Sequence, residues 1–122
     1  MHLPDQWQRL DCPNEGEAAS FTFSCGNSEE EGFVVCYKGG LYAYRNRCPH
    51  AGTTLDWLPG RFFSEDGELL VCQTHGAHFS PDSGEPVLGP GPCSLDRLPV
   101  RIINGLMEVP KQYTEPPWTA AA

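Results

Sequence analysis

Cys48-Pro49-His50-Ala51-Gly52 and Cys72-Gln73-Thr74-His75-Gly76-Ala77-His78-Phe79 are the two stretches on which the reading of this 122-residue chain turns. Each offers one thiol and one imidazole: Cys-x-His in the first, Cys-x-x-His in the second, with 23 residues between the cysteines. A spacer of one or two residues lets two side chains of one tight loop face the same region of space. Neither loop supplies four ligands alone, but two loops brought together from opposite sides do. Gly52 and Gly76 follow the two pairs. Glycine lets the backbone turn at close range and lets backbone N–H groups approach negatively charged sulfur. Cysteines and histidines that merely pack are common, yet two mixed pairs followed by small residues point to metal ligation. Tetrahedral zinc also accepts two Cys and two His. Common zinc spacings pair like ligands, C-x₂₋₄-C with H-x₃₋₅-H, whereas each loop here mixes one Cys with one His.

The length suits one domain with a real core and not two ordinary ones. A formal net charge of −8 argues against a nucleic-acid surface and for a basic protein partner, if charge steers any encounter. A merely solubilising surface is the bland alternative. The longest apolar runs fall far below the about 20 residues of a membrane helix. No basic region followed by a long apolar stretch opens the chain, so a cytoplasmic protein without a membrane span is expected. Six cysteines occur, Cys12, Cys25, Cys36, Cys48, Cys72 and Cys93. With Cys48 and Cys72 given to the metal, the other four are expected to be reduced, Cys25 and Cys36 facing the core from strands.

Short strands and turns account for the rest. Residues 7–10 read as a first strand, with Trp7 as a core anchor. Residues 19–25 alternate, placing Ala19, Phe21, Phe23 and Cys25 on one face. Residues 26–31, with Glu29, Glu30 and Glu31, read as a solvated polar loop. Residues 33–37 and 41–45 form the clearest hairpin, turned by Lys38-Gly39-Gly40. Its second strand puts Leu41 and Ala43 on one face and Tyr42 and Tyr44 on the other, and delivers the chain to Cys48. Residues 53–70 link the two ligand loops. Leu55, Trp57, Leu58, Phe62 and Phe63 are too apolar for a free linker and are expected to pack beneath them. A turn at residues 65–68 should place Phe62-Phe63 against Leu69-Leu70-Val71, with that strand ending at Cys72. Asp82-Ser83-Gly84 should turn sharply. Three prolines and two glycines in residues 85–92 exclude helix and central strand. Asn104-Gly105 predicts a type I′ turn between residues 98–103 and 106–109. From residue 110 onward a loosely attached tail is expected, onto which Tyr113 and Trp118 could dock.

Taken together, the ligand stretches, Leu41-Tyr42-Ala43-Tyr44 before the first, Gly84 after the second, and Leu98-Pro99-Val100-Arg101-Ile102 with Asn104-Gly105 resemble the Rieske iron-sulfur family over about residues 7–109. In that family two Cys and two His hold a [2Fe-2S] cluster. The resemblance implies an all-β fold: a Rieske-type antiparallel β-sandwich base (residues 7–45 and 93–109), an inserted cluster-binding β subdomain (residues 46–92) and a tail (residues 110–122). It implies that Cys48 and Cys72 ligate one iron and His50 and His75 the other, while His78, spaced too far from Cys72, lies beside the ligands or at the surface. It makes residues 85–92 the proline loop that covers the cluster, and Cys93 structural. The respiratory branch of the family carries an added cysteine in each loop. The matching positions here, Gly52 or Thr53 and Thr74, are not cysteine, so the soluble ferredoxin branch is the better match. High-potential members have Ser where this chain has Ala77 and Tyr where it has Phe79. Without those hydroxyls a potential near the lower end of the family range, about −150 to +300 mV, is expected.

The resemblance further implies a one-electron carrier, monomeric and not itself an enzyme. It would pass electrons from a flavin-dependent reductase to a terminal oxygenase or similar enzyme. Beyond His50, His75 and His78 only His2 remains for any mononuclear iron site, and no G-x-G-x-x-G loop occurs. Two alternatives stand beside it. One is a small subunit of an NAD(P)H-dependent, nitrite-reductase-like complex, which should expose a broad apolar patch. The other is a zinc-stabilised binding module.

Overall fold

The computed structural model describes residues 3–49, 53–56, 60–72, 76–88 and 94–115. Among them are ten strands and no helix: β1 (Gln6–Arg9), β2 (Ala18–Cys25), β3 (Ser28–Tyr37), β4 (Gly40–Arg45), β5 (Leu70–Cys72), β6 (Ala77–Phe79), β7 (Pro86–Leu88), β8 (Arg97–Leu98), β9 (Arg101–Ile103) and β10 (Leu106–Tyr113). Seven strands build a curled mixed sheet in the order β1-β10-β2-β3-β4-β8, with β9 also on β10; β5, β6 and β7 form a second, smaller sheet.

Turn chemistry sets the pairing of the large sheet. Lys38 (φ 49°) and Gly39 (φ 80°) are both left-handed, the type I′ geometry that matches strand twist. Gly40 is therefore the first residue of β4, opposite Tyr37. Asn104 (φ 53°) and Gly105 (φ 77°) repeat that turn between β9 and β10. Leu98, expected in this hairpin, instead pairs with Ala43 of β4 as part of β8.

Three expectations are corrected. Residues 26–31 are not a polar loop. Gly26-Asn27 is a two-residue turn, and Glu29, Glu30 and Glu31 lie in β3 opposite Ser24, Phe23 and Thr22. The tail does not begin at residue 110. β10 runs on through Pro110 to Tyr113, which is buried and pairs parallel to β2 opposite Cys25. That parallel pairing makes the large sheet mixed, as the all-β Rieske-type sandwich allows. Trp7 is half-buried under the Arg101 guanidinium, 4.0 Å from its ring centroid, rather than a core anchor.

The β3–β4 hairpin divides the interior into two cores. Val34 and Ala43 face one side with Phe21, Phe23, Cys25, Leu98, Met107, Val109 and Tyr113. Phe33, Val35 and Tyr44 face the other with Cys48, Leu55, Phe62, Leu70, Cys72, Ala77, Phe79 and Leu95. Period-two alternation along β3 and β4 produces this split, and it places Cys48 and Cys72 in the second core.

Candidate metal centre

The first ligand loop leaves the sheet at the end of β4 through two anchored residues. Arg45 pairs with Glu30 at 2.9 Å and Asp96 at 3.4 Å, and its N–H donates to the Asp96 carbonyl at 2.9 Å. Asn46 is buried, its N–H donating to the Glu31 carbonyl at 2.8 Å. The Cys48 N–H then donates to the Thr53 carbonyl at 2.7 Å, closing the loop across its base. Cys48 is fully buried.

β5 supplies the second cysteine. The Ser64 N–H donates to the Leu69 carbonyl at 2.7 Å and the Val71 N–H to the Phe62 carbonyl at 2.9 Å. The expected hairpin around residues 65–68 is thus in place. Its strand ends on Cys72, also fully buried. The Gly76 N–H donates to the Cys72 carbonyl at 3.0 Å, and Gly76 (φ 69°) turns the chain into β6. Ala77 pairs with Cys72 and Phe79 with Leu70. His78 is half-buried, its Nδ1 2.7 Å from the Gly76 carbonyl oxygen.

The two thiols share one apolar core. Phe33 stacks on Phe62 at 4.0 Å between ring centroids, and Leu55 and Phe79 complete the packing. Of the expected packers, Leu55 and Phe62 are buried and Phe63 partly so, while Trp57 and Leu58 lie outside the described residues. His50, His75, Gly52, Thr74 and Cys93 also lie outside them. Among the described residues no group of three or more His, Cys, Asp or Glu is placed to hold a metal. The cysteine half of the donor set fits a metal-sulfur centre. Two sulfurs are withdrawn from water into one core containing no cationic side chain among its described residues. Bound metal is what makes thiolates tolerable in such a place.

A third segment borders the site. Of residues 85–92, Pro86–Leu88 form the edge strand β7, where proline is tolerated, paired with β6; residues 89–92 lie outside the described set. The Gly84 N–H donates to the Ser80 carbonyl at 2.8 Å and the Leu95 N–H to the Gly84 carbonyl at 2.9 Å, which fixes the expected turn. The Tyr44 hydroxyl donates to the Pro81 carbonyl at 2.7 Å. Sequence reasoning did not single out Asn46 or the Tyr44 hydroxyl. Their partners lie 9 to 37 residues away along the chain, so no local pattern signals them.

Of the other cysteines, Cys12, Cys25 and Cys36 carry free thiols. Cys25 is buried, and desolvation pushes its thiol up. Cys36 does not face the core as expected; it is half-buried, its Sγ 4.0 Å from Glu15 Oε1.

A search of curated proteins finds no matching relative. Among solved structures, a chain from the "complex of reduced oxygenase and oxidized ferredoxin in carbazole 1,9a-dioxygenase" is similar in fold. Its TM-score is 0.67 at 19% identity, covering 88% of this chain and 94% of that one. The ferredoxin of carbazole 1,9a-dioxygenase from Nocardioides aromaticivorans IC177 gives a TM-score of 0.63 at 22% identity, covering 91% of this chain and 100% of that one. The terminal oxygenase of carbazole 1,9a-dioxygenase from Novosphingobium sp. KA1 gives 0.64 at 22% identity, with 93% of this chain matched to 32% of that one. The model of the Rieske [2Fe-2S] domain matches residues 6–99, spanning both cysteine loops and the strands that carry them. With Cys48 just past β4 and Cys72 at the end of β5 buried in one core, and the family model matched over residues 6–99, the chain belongs to the Rieske [2Fe-2S] domain family.

Proposed function

We propose that this chain is a one-electron carrier whose [2Fe-2S] centre is held by Cys48, His50, Cys72 and His75. A base of residues 7–45 and 93–109 would carry residues 46–92 as the cluster-binding insert. The observation that carries this reading is the burial of Cys48, just past β4, and Cys72, at the end of β5, in one apolar core. Bound there, such a centre supplies reversible uptake of one electron. The chain's own residues would do the rest. Cys48 and Cys72 bring anionic sulfur, while His50 and His75 complete the set as neutral imidazoles. Leu55, Phe62 and Phe79 keep water from the sulfurs. Ala77 and Phe79 offer those sulfurs no hydroxyl, which favours a low potential. The acceptor would be a terminal oxygenase, the kind of protein found with the ferredoxin in the carbazole 1,9a-dioxygenase complex, and the donor a flavin-dependent reductase, as the sequence resemblance implies. Three free thiols, one of them exposed at Cys12, favour a reducing, cytoplasmic setting. No helix among the described residues is long and apolar enough to cross a membrane.

The test is iron and acid-labile sulfide content with a visible spectrum of anaerobically purified protein, before and after dithionite. Two irons and two sulfides per chain, with a colour that bleaches on reduction, support the carrier. One zinc and no colour would sink it. One observation favours the alternative of a subunit bound within an NAD(P)H-dependent complex. Ile102 (52%), Ile103 (45%) and Leu106 (44%) stand exposed on the β9–β10 hairpin. A free carrier runs as a monomer in sedimentation; a subunit co-purifies with its reductase.

A further inference from the structure

Among the described residues Asn46 is the one buried amide or charged side chain, and it lies two residues before Cys48. Its carboxamide is hydrogen-bonded at both the oxygen and the nitrogen. Oδ1 accepts from the Leu55 N–H at 2.9 Å, and Nδ2 donates to Asp56 Oδ1 at 2.9 Å and faces Glu31 Oε2 at 3.4 Å. The other oxygen of Asp56 accepts from the Gly60 N–H at 3.1 Å. These partners come from β3 and from the segment that follows the first ligand loop. Leu55 itself packs in the core that holds Cys48 and Cys72. The loop therefore enters at Asn46 and leaves at Leu55 with one side chain joining the two. Only a neutral amide suits the place. It must donate toward two carboxylates and accept from a backbone N–H at once.

We infer that Asn46 is a positioning residue for the metal centre: its carboxamide ties the entry of the first ligand loop to its exit and so sets where the Cys48 sulfur is held against Cys72. This rests on the chain being a cluster carrier. An aspartate at 46 would keep the acceptor but set a third carboxylate beside Glu31 and Asp56. Removing the donor also takes from the partly buried Asp56 carboxylate the partner that Asn46 gives it.

The experiment compares cluster-loaded wild type, Asn46→Asp, Asp56→Ala and Val109→Ala, the last buried in the other core. Readouts are the visible circular dichroism of the cluster, the half-life of its colour under chelator, and hydrogen exchange at the Leu55 amide. Asn46→Asp is expected to shorten the half-life about tenfold, alter the dichroism and speed Leu55 exchange. Val109→Ala is expected to lower Tm and leave all three unchanged. Wild-type half-life and dichroism in Asn46→Asp would overturn the inference, as would equal loss in Val109→Ala at matched Tm. Should Asn46→Asp fail to fold, Asp56→Ala decides on the same readouts. An expected loss of about threefold supports the role and no change overturns it. A wild type without iron overturns both readings, whereas an iron-loaded wild type with an unaffected variant overturns this one alone.

Discussion

Ala77 lies directly across the β5–β6 pair from Cys72, and both side chains are buried. Facing residues of an antiparallel pair project to the same side with Cβ atoms about 5 Å apart. A hydroxyl at position 77 would therefore stand beside the Cys72 sulfur, where a methyl group donates nothing. Ala77→Ser is expected to raise the midpoint potential on the order of 50 mV, about the tenfold factor of a one-electron couple. Voltammetry reads this, and an unchanged or lower potential counts against it. Tyr44 acts on the neighbouring turn. Its ring closes over Gly84, where an added Cβ would meet Tyr44 Cε1 at 2.7 Å and φ is +74°. Its hydroxyl satisfies the buried Pro81 carbonyl. Tyr44→Phe should cost about 1–3 kcal/mol in denaturant unfolding by stranding that carbonyl. A neutral result would mean the carbonyl finds another donor. The Cys-x-His and Cys-x-x-His spacing was legible because each pair is local in the sequence. The supports supplied by Tyr44 and Asn46 were not, because burial and long-range hydrogen bonds leave no mark in neighbouring residues.

Among the elements, the β3–β4 hairpin carries the most. Its turn is clamped from outside by Glu15, whose carboxylate accepts from the Lys38 N–H at 2.7 Å and the Gly39 N–H at 2.8 Å. Those N–H groups, Gly39 first and then Lys38, hold the carboxyl below its ordinary value of 4.5. A depressed folded-state pKa contributes stability above the unfolded value, and that contribution is lost as pH falls through the folded one. Glu15→Gln should thus lower Tm at neutral pH, and the gap to wild type should close as the pH drops below about 4.5. A gap that persists in acid would show that charge is not what holds the turn. This hairpin was readable in advance because Gly at a left-handed position is a local requirement. The start of β3 reads as a loop in the sequence because strands disfavour runs of glutamate. Here they are accommodated at the strand's beginning, where Glu30 pairs with Arg45 and Glu31 sits beside Asn46. The missed signal was Gly26-Asn27, a hairpin dipeptide with Gly26 at φ 59°. β10 was cut short at Pro110 for a related reason. Proline is a poor interior strand residue, yet it is accommodated opposite Trp7, next to the irregular register between Gln6 and Trp7.

Over the whole molecule, two cores share one hairpin but not one role. Phe21, Phe23, Met107, Val109 and Tyr113 hold the large sheet together in a core that contains neither Cys48 nor Cys72. Tyr113 closes that core from the last described strand. Its hydroxyl has no hydrogen-bond partner among the described residues, so its ring carries the contribution. Tyr113→Ala should cost about 3–5 kcal/mol, and Tyr113→Phe should leave stability within about 1 kcal/mol. Equal losses in the two variants would show that the hydroxyl matters after all. The other core is built differently. β5, β6 and β7 have only three residues each, so their sheet leans on the core packed against it. The core behind them includes both cysteines. Local opening should follow that division, since cooperative units track buried contacts. Stripping the metal with a chelator under reducing conditions should abolish amide protection in β5 and β6 and in the loop after Asn46. Protection in β2 and β10 should persist, because their core contains neither Cys48 nor Cys72. Uniform loss across both sheets would mean that the metal supports the fold as a single unit, and the large sheet would then no longer count as a scaffold that stands before the centre is filled.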